Sequence, residues 1–374
     1  MVPPLSRADT SLLGRWWWTV DRWTLLAVGT LIGLGYVMML AASPAVAERI
    51  NQSRDVFIFK QVFFLALAGG IVVVVSLLSP GGVRRVALAG CLAALALTAM
   101  TLVAGVEIKG ARRWIALPGL SLQPSEFLKP CFAVVAAWLL AEGKRWSRFP
   151  GMLAAFAVFA VIVLLLKSQP DVGMLAVISG VFFTQLFVAG LNLAFVGVGL
   201  AGMAGAGVAA YTFFPHVRSR VTRFLDPSQG DNYQVQRALE AFGNGGLLGR
   251  GPGEGRVKDV LPDAHADTVF AVAGEEFGMI LCLIILGLFA FIVLRGLLRL
   301  LAEADLFVVL AATGLVASFG LQAFVNMAST LHLIPTKGMT LPFLSYGGSS
   351  ALAVALTMGM LLALTRKRHN GELL

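Results

Sequence analysis

The chain alternates between long apolar runs and short polar segments, and one polar segment is much longer than the others. Ten apolar runs are long enough, or nearly so, to cross about 30 Å of hydrocarbon as helices. They lie near 23–43, 57–78, 86–104, 126–141, 150–166, 171–189, 192–214, 270–294, 305–330 and 345–365. We therefore expect an all-α polytopic membrane protein of about ten transmembrane helices, built as a single domain over residues 1–374.

The composition agrees with this class, because 58% of the residues are hydrophobic and 13% are charged, whereas soluble domains carry about 25% charged residues. Thirteen Lys and Arg residues fall on one set of short loops and seven on the other. The positive-inside rule then places the segments 1–22 and 366–374 in the cytoplasm and the large loop 215–269, between spans 7 and 8, outside. The net charge of +9 indicates contact with anionic lipid rather than nucleic acid.

Cysteines and histidines do not suggest a metal site. Cys91, Cys131 and Cys282 lie within apolar runs, as packing thiols do, and the four histidines are scattered along the chain. Neither a zinc motif nor a disulfide spacing is present. Metal dependence therefore stays open at this stage.

The large polar loop contains a run, Gly249–Gly255, in which every second residue is glycine. The run lacks the Gly-Lys-Ser/Thr ending of a phosphate-binding P-loop. Two interpretations stay open. The glycines either form tight turns that need positive φ, or expose backbone N–H groups to an anion beside Arg250, Arg256 and Lys258.

Asp267, two residues before Val269 and the next apolar run, has two candidate roles. As a helix N-cap it would accept hydrogen bonds from the first turn. As a carboxylate at the outer mouth of the bundle it would take a proton from a hydroxyl group. Asp259, Asp263 and His265 crowd the same segment, and clustered acids raise one another's pKa, which suits a general base.

Other charged groups lie near predicted span ends. Glu126 and Lys129, spaced i, i+3 at the start of the fourth span, are expected to form a structural pair. Arg113, beside Trp114, is either an interface anchor or a clamp for a lipid diphosphate. Lys337 lies in a proline-bounded loop and either faces lipid or points toward an anion.

Eight motifs follow one another in a fixed order over nearly the whole chain: Arg113–Ile115, Gln123–Phe127, Gln169–Gly173, Phe224–Pro227, Gly251–Lys258, Leu261–Asp267, Gly274–Gly278 and Pro335–Ser350. Together they resemble the SEDS family of bacterial membrane glycosyltransferases, named for shape, elongation, division and sporulation. The chain departs from the family pattern at Asp263, usually Glu, at Ala266, usually Thr, and at Thr268–Phe270, usually Phe-Ile-Phe. Its first span and basic leading segment are more like the division branch than the elongation branch.

The resemblance implies an inverting glycosyltransferase that joins lipid II units into β-1,4 glycan strands at the outer face of the bacterial cytoplasmic membrane, for septal wall synthesis. Asp267 would be the catalytic base on the acceptor 4-hydroxyl, and cations would neutralise the departing diphosphate. A divalent cation, Mg or Mn, could share that work. The candidate substrate-binding residues are Lys337, Lys258, Arg113, Trp114, Asp259 and His265.

Two other functions stay open, a lipid II flippase and a non-catalytic division scaffold. Transporters place ionisable groups near the bilayer midplane on broken helices, whereas here Lys60, Asp171 and Glu275 fall near predicted span ends. A scaffold would leave the acidic loop without a role.

Partners follow from what the chain lacks. No Ser-x-x-Lys nucleophile motif occurs in it, so it would not cross-link its own product. The resemblance implies a monofunctional penicillin-binding transpeptidase as partner, together with other membrane proteins of the division complex.

Overall fold

A computed structural model describes residues 11–49, 54–108, 111–117, 120–191, 193–226, 233–261, 263–335 and 337–367. Lys109, which entered the charge count, and Pro227, Pro262 and Thr336, which belong to the motifs above, lie outside the described residues. So do the first ten residues and most of the tail at 366–374.

The described ranges are mostly helical. Their α-helices are α1 (Leu12–Thr19), α2 (Arg22–Arg49), α3 (Arg54–Ser76), α4 (Pro80–Ala104), α5 (Ser125–Arg145), α6 (Gly151–Ser168), α7 (Val172–Val188), α8 (Leu193–Phe213), α9 (Pro215–Leu225), α10 (Tyr233–Gly245), α11 (Val269–Leu300), α12 (Leu306–Thr330) and α13 (Gly348–Leu364), with a 3-10 turn at Val257–Asp259. The strands are β1 (Val106–Ile108), β2 (Ala111–Leu117) and β3 (Leu120–Leu122).

Each of the ten predicted apolar runs coincides with one helix. In chain order, the first seven correspond to α2–α8 and the last three to α11–α13. Among the described residues, α2, α3, α4, α6, α11 and α12 are long and apolar enough to cross a membrane, and α7 and α13 are shorter apolar helices. The polytopic helical class is thus confirmed. At one end of the bundle, α4, α6 and α12 end and α5, α7, α11 and α13 begin; we call this the site end.

Helix α5 forms the centre of the bundle and packs against α4, α6, α7, α12 and α13. Its middle is apolar on all sides, as expected of a helix surrounded by other helices. Phe132 is fully buried and its ring lies 6.0 Å from that of Phe159 and 5.5 Å from that of Phe182, between ring centroids. Small residues such as Ala133 and Ala136 are also fully buried, which lets neighbouring helices approach closely.

A small antiparallel sheet replaces the plain loop predicted between the third and fourth spans. Its order is β1-β2-β3, with Glu107 opposite Arg112 and Ile115 opposite Leu122. The Ser349 hydroxyl of α13 donates to the Ser121 carbonyl at 3.2 Å. The sheet therefore lies over the site end and is fastened to the bundle.

The large loop also contains more structure than predicted. Helix α10 packs on the first turns of α11 through a face of small residues, with Ala238, Ala241 and Gly245 buried. The rings of Phe242 and Phe270 lie 5.7 Å apart across this contact. The loop is therefore folded against the bundle rather than extended from it.

Helix α11 is interrupted at Gly278, where φ is 77° and ψ is −177°. Glycine adopts such a conformation without the steric penalty of a side chain. The next N–H groups of α11 leave the helical pattern and donate to the loop, from Met279 to Gly246 O at 2.9 Å and from Ile280 to Leu247 O at 3.3 Å. The break thus gives the carbonyls of Gly246 and Leu247, just before the glycine-rich run, hydrogen-bonding partners on α11.

Glu126 and Lys129 lie at the site end of α5, where both are buried. Lys129 Nζ is 2.8 Å from Glu126 Oε2 and 2.5 Å from Gln322 Oε1 on α12. The Gln322 amide in turn donates to Thr340 O at 3.1 Å. The ion pair therefore also joins α5 to α12 and to the segment that follows α12.

We expect Glu126→Met and Lys129→Met each to lower the thermal unfolding temperature in detergent, because each leaves a buried charge without its counter-ion, at a cost of about 3–5 kcal/mol. The double variant should regain much of this loss, since it removes both charges. The matched control is the i, i+3 pair Arg237–Glu240 on α10, which is exposed and should change stability little when removed. A double variant no more stable than the single variants would show that the two residues do not stabilise each other.

Candidate functional site

A polar cavity of about 120 Å³ lies at the site end. It is formed by α9, α10, the turn before α11, the end of α12 and the loop between α12 and α13. The residues that line it are Arg220, Gln234, Val235, Ala238, Asp263, Asp267, Thr268, Ser329, Thr330, Lys337 and Gly338. It brings together two of the predicted site residues, Asp267 and Lys337.

The turn that carries Asp267 is held by its own backbone. Its three successive carbonyls, in 265–267, each accept a hydrogen bond from the far side of the site. Tyr346 N donates to the first at 2.7 Å, Ser345 Oγ to the second at 2.6 Å and Asn326 Nδ2 to the third at 2.9 Å. Asn326 Nδ2 also donates to Met339 O at 2.5 Å, so one amide joins the Asp267 turn to the Lys337 loop.

The carboxylate of Asp267 lies just before α11. The N-cap residue of this helix is Thr268, so Asp267 stands one position before the cap rather than at it. The carboxylate instead lies against the Lys337 loop, where a Cβ atom built on Gly338 would stand 2.8 Å from Asp267 Oδ2.

Lys337, in the loop that follows α12, lies next to the start of α7. Its Nζ is 3.4 Å from Asp171 Oδ1, and Arg113 Nη1 is 3.2 Å from Asp171 Oδ2. Burial lowers the pKa of the Lys337 ammonium, as do the nearby charges of Arg220 and Arg113, while Asp171 opposes this shift. The stem of Lys337 passes over Gly173, where any side chain would collide with it.

Two of the cations proposed for the diphosphate are occupied by structural contacts and do not line the cavity. Arg113 on β2 donates from Nε to Gln169 O at 2.9 Å and from Nη2 to Pro170 O at 2.7 Å, in addition to its ion pair with Asp171. Lys258 is buried and donates to Glu276 Oε1 at 2.5 Å. Both hold loops against the bundle.

The remaining candidates, Asp259, His265 and Trp114, do not line the cavity. Asp259 is exposed on the 3-10 turn. The ring of His265 packs 5.0 Å from that of Tyr346, between centroids. Trp114 lies half-buried on β2 opposite Val106. Their predicted roles at the substrate find no direct geometric support in this cavity.

The glycine-rich run forms turns, with positive φ at Gly249, Gly251 and Gly253. Backbone N–H groups in this run and just after it bind anions, which are carboxylates of the same chain. Glu275 Oε1 accepts from Arg256 N and Val257 N, each at 3.0 Å.

The next carboxylate along α11 completes this arrangement. Glu276 Oε2 accepts from Gly253 N at 3.0 Å. Both open interpretations of the run are therefore partly correct, since the turns need glycine and the N–H groups bind an internal anion.

Sequence reasoning missed Arg220 and Gln234 at the cavity, and Asn326 and Ser345 behind it. Arg220 lies on α9, whose strongly amphipathic pattern was present in the segment 215–269 that was predicted as a loop. Asn326 lies in an apolar run without a motif, and Ser345 lies in the motif Pro335–Ser350 without a role assigned to it. Their partners are 59 and 79 residues away in the chain, so the sequence did not indicate these contacts. Within the described ranges, no group of three or more His, Cys, Asp or Glu side chains is placed to hold a metal ion.

We expect Asp171→Asn to lower the pKa of Lys337 further, because it removes the anion that raises this pKa against burial and against the two arginines. Amine acylation requires the neutral form, so the pH midpoint for acylation of Lys337, followed by mass spectrometry, should move to lower pH. Asp305→Asn, at the N-cap of α12 and the opposite end of the bundle, should leave the midpoint unchanged. An unshifted midpoint in Asp171→Asn would contradict the coupling.

The sequence is similar to those of known proteins over nearly the whole chain. Residues 22–370 match the family of FtsW, RodA and SpoVE, described as "Cell cycle protein". A relative from Caulobacter vibrioides, named "Probable peptidoglycan glycosyltransferase FtsW", is 45% identical over 97% of this chain and 93% of its own length. A relative of the same name from Trichlorobacter lovleyi is 36% identical over 91% of this chain and 92% of its own length.

Solved structures share the fold. One chain, from work described as "Structural coordination of polymerization and crosslinking by a peptidoglycan synthase complex", has a TM-score of 0.77 and 29% identity, over 92% of this chain and 97% of that one. The rod shape determining protein RodA of Thermus thermophilus has a TM-score of 0.69 and 28% identity, over 93% of this chain and 97% of its own.

Proposed function

The chain belongs to the FtsW, RodA and SpoVE family of cell cycle proteins, and we propose that it is a peptidoglycan glycosyltransferase that polymerises lipid II. The observation that carries this proposal is the placement of Asp267 and Lys337 in one cavity at the site end. The carboxylate of Asp267 can accept a proton, and the ammonium of Lys337 can neutralise an anionic leaving group.

The reaction needs few groups from the protein. The donor sugar carries an α-linked diphosphate and the product linkage is β, so a single in-line displacement inverts C1. Asp267 takes the proton of the acceptor 4-hydroxyl as the new C1–O bond forms. Lys337 neutralises the diphosphate as its bond to C1 breaks.

The surroundings of the two residues support these roles. Asp267 lies on a turn whose carbonyls are hydrogen-bonded to α12 and to the segment before α13. Lys337 is close to two arginines and shares its carboxylate partner with one of them. An incoming diphosphate would therefore meet the positive charges of Lys337 and the nearby arginines, as well as a base held beside Gly338, which suits a preorganised site.

The membrane setting belongs to the same proposal. The site end would face the outer side of the bacterial cytoplasmic membrane at the division septum, with both termini in the cytoplasm. Lipid II would then reach the cavity from the outer leaflet. The cavity is formed by helix ends and connecting segments rather than by the middle of a span, which favours surface chemistry over a flippase that passes its substrate through the midplane.

We expect Asp267→Asn to abolish strand synthesis from purified lipid II while leaving detergent stability close to that of the wild type. Asn keeps the size of the side chain and the backbone hydrogen bonds of the turn, but it cannot accept the proton. Asp305→Asn, the N-cap of α12, is the matched control and should retain activity, because Asn caps helices about as well as Asp. Full activity in the Asp267 variant would remove this residue from the mechanism.

We further propose a single-span penicillin-binding transpeptidase as partner. The related chain described above belongs to a peptidoglycan synthase complex, and this sequence contains no Ser-x-x-Lys motif. Uncross-linked strands would be the product of the chain acting alone. Apolar helix faces within the bilayer, together with segments at the site end, would supply the contact.

The partner should raise the rate of lipid II polymerisation by the purified protein. The test compares polymerisation with and without the transpeptidase in the same detergent or lipid nanodisc, and the control is a transpeptidase whose nucleophile is removed, because stimulation would not need its chemistry. Equal polymerisation rates, together with no co-purification in mild detergent, would contradict the proposed dependence on the transpeptidase. The glycosyltransferase proposal would be unaffected.

A further inference from the structure

We propose that Arg220 binds the diphosphate of the donor lipid together with Lys337, so that the departing group meets two cations from distant parts of the chain. This inference deepens the proposed function and rests on it for the identity of the donor. It assigns a substrate contact to α9, a helix within the segment 215–269 that was predicted as a loop.

The first observation is the placement of Arg220. Helix α9 contributes this residue to the wall of the cavity that also contains Lys337 and Asp267. Arg218, two positions earlier on the same helix, is exposed and lies over the ring of Tyr211, 5.9 Å from its centroid. Two positions correspond to about 200° around a helix, so α9 turns one arginine to the cavity and the other away from it.

The second observation is the closeness of Arg220 to Lys337. Both residues line the cavity. Burial lowers the pKa of the Lys337 ammonium, and the nearby charge of Arg220 lowers it as well. Two like charges held close together in a partly buried site repel each other, so an anion bound between Arg220 and Lys337 would be stabilised by both.

The third observation is the chemistry of the two side chains. A guanidinium forms two parallel hydrogen bonds to phosphate oxygens, whereas an ammonium acts as a compact point charge. One arginine and one lysine on opposite elements can therefore hold the two phosphates of a diphosphate with different geometry. A single phosphate, as in a phospholipid headgroup, would use only part of this arrangement.

The test uses the full-length protein in detergent and three variants: Arg220→Gln, Arg220→Lys and the matched control Arg218→Gln. The probe is a long-chain polyprenyl diphosphate, with the polyprenyl monophosphate and phosphatidylglycerol as comparison ligands, and the dissociation constants are measured by fluorescence or calorimetry. The Michaelis constant and turnover number with lipid II are measured in parallel.

We expect Arg220→Gln to weaken polyprenyl diphosphate binding about tenfold or more, as for lost hydrogen bonds to a charged group, and to raise the Michaelis constant for lipid II. The affinity of Arg220→Lys for the diphosphate should fall between those of the wild type and the Gln variant. Lysine keeps the positive charge but cannot form the two parallel hydrogen bonds of a guanidinium. Arg218→Gln should bind like the wild type. Combining Arg220→Gln with Lys337→Met should cost less than the sum of the single losses, since both residues hold one group.

Other outcomes would overturn the inference. They are equal diphosphate binding in Arg220→Gln and the wild type, or a loss confined to phosphatidylglycerol, which would assign Arg220 to the membrane surface. If Arg220→Gln does not fold, wild-type diphosphate binding in the folded Arg220→Lys variant decides against the forked contact. A wild-type protein that binds the diphosphate through Arg220 but makes no strands from lipid II would refute the proposed function and leave this binding site in place.

Discussion

The hydrogen bonds from Asn326, Ser345 and Tyr346 to the carbonyls of 265–267 are the constraint on which the site depends. A turn that precedes a membrane helix has carbonyls without helical partners, and leaving such groups unsatisfied away from water is costly. Here all three are satisfied by groups from α12 and from the segment before α13. Because the same Asn326 amide also binds Met339 O, the base and the cation loop are positioned together and cannot shift independently without breaking this bond.

A second layer of buried charge supports the first. Glu275 and Glu276 lie about two turns into α11, and both are buried. They accept hydrogen bonds from backbone N–H groups in and just after the glycine-rich run, and Glu276 also accepts one from Lys258. Buried carboxylates are expensive unless they are paired and hydrogen-bonded. Positive φ at Gly251 and Gly253 lets the chain turn sharply there. The N–H groups of Gly253, Arg256 and Val257 then point toward the two adjacent acids. What resembles an anion-binding loop in the sequence is therefore a structural element whose anion is supplied by the protein.

The sequence predicted what depends on local periodicity or short spacing. The apolar runs gave the helices and their order, and the i, i+3 spacing of Glu126 and Lys129 corresponds to a short contact in the structure. The family motifs pointed to Asp267 and Lys337, which meet in one cavity. The strands escaped prediction because β1 and β3 have three residues each, too few for alternation to show. Arg113 and Lys258 looked available for substrate because their ion-pair partners are distant in the sequence. These partners are Asp171 for Arg113 and Glu276 for Lys258.

Two glycines beside the site show how closely its walls approach each other. Neither Gly173 nor Gly338 has positive φ, so the backbone at both positions would accept another residue. The neighbouring side chains would not, since Gly173 lies under the stem of Lys337 and Gly338 lies against the carboxylate of Asp267. Tolerance to substitution at these positions is thus set by steric contact with the two reactive side chains. A single added methyl group would report on their positions, and the pattern of permitted residues there would outline the site without reference to any charged group.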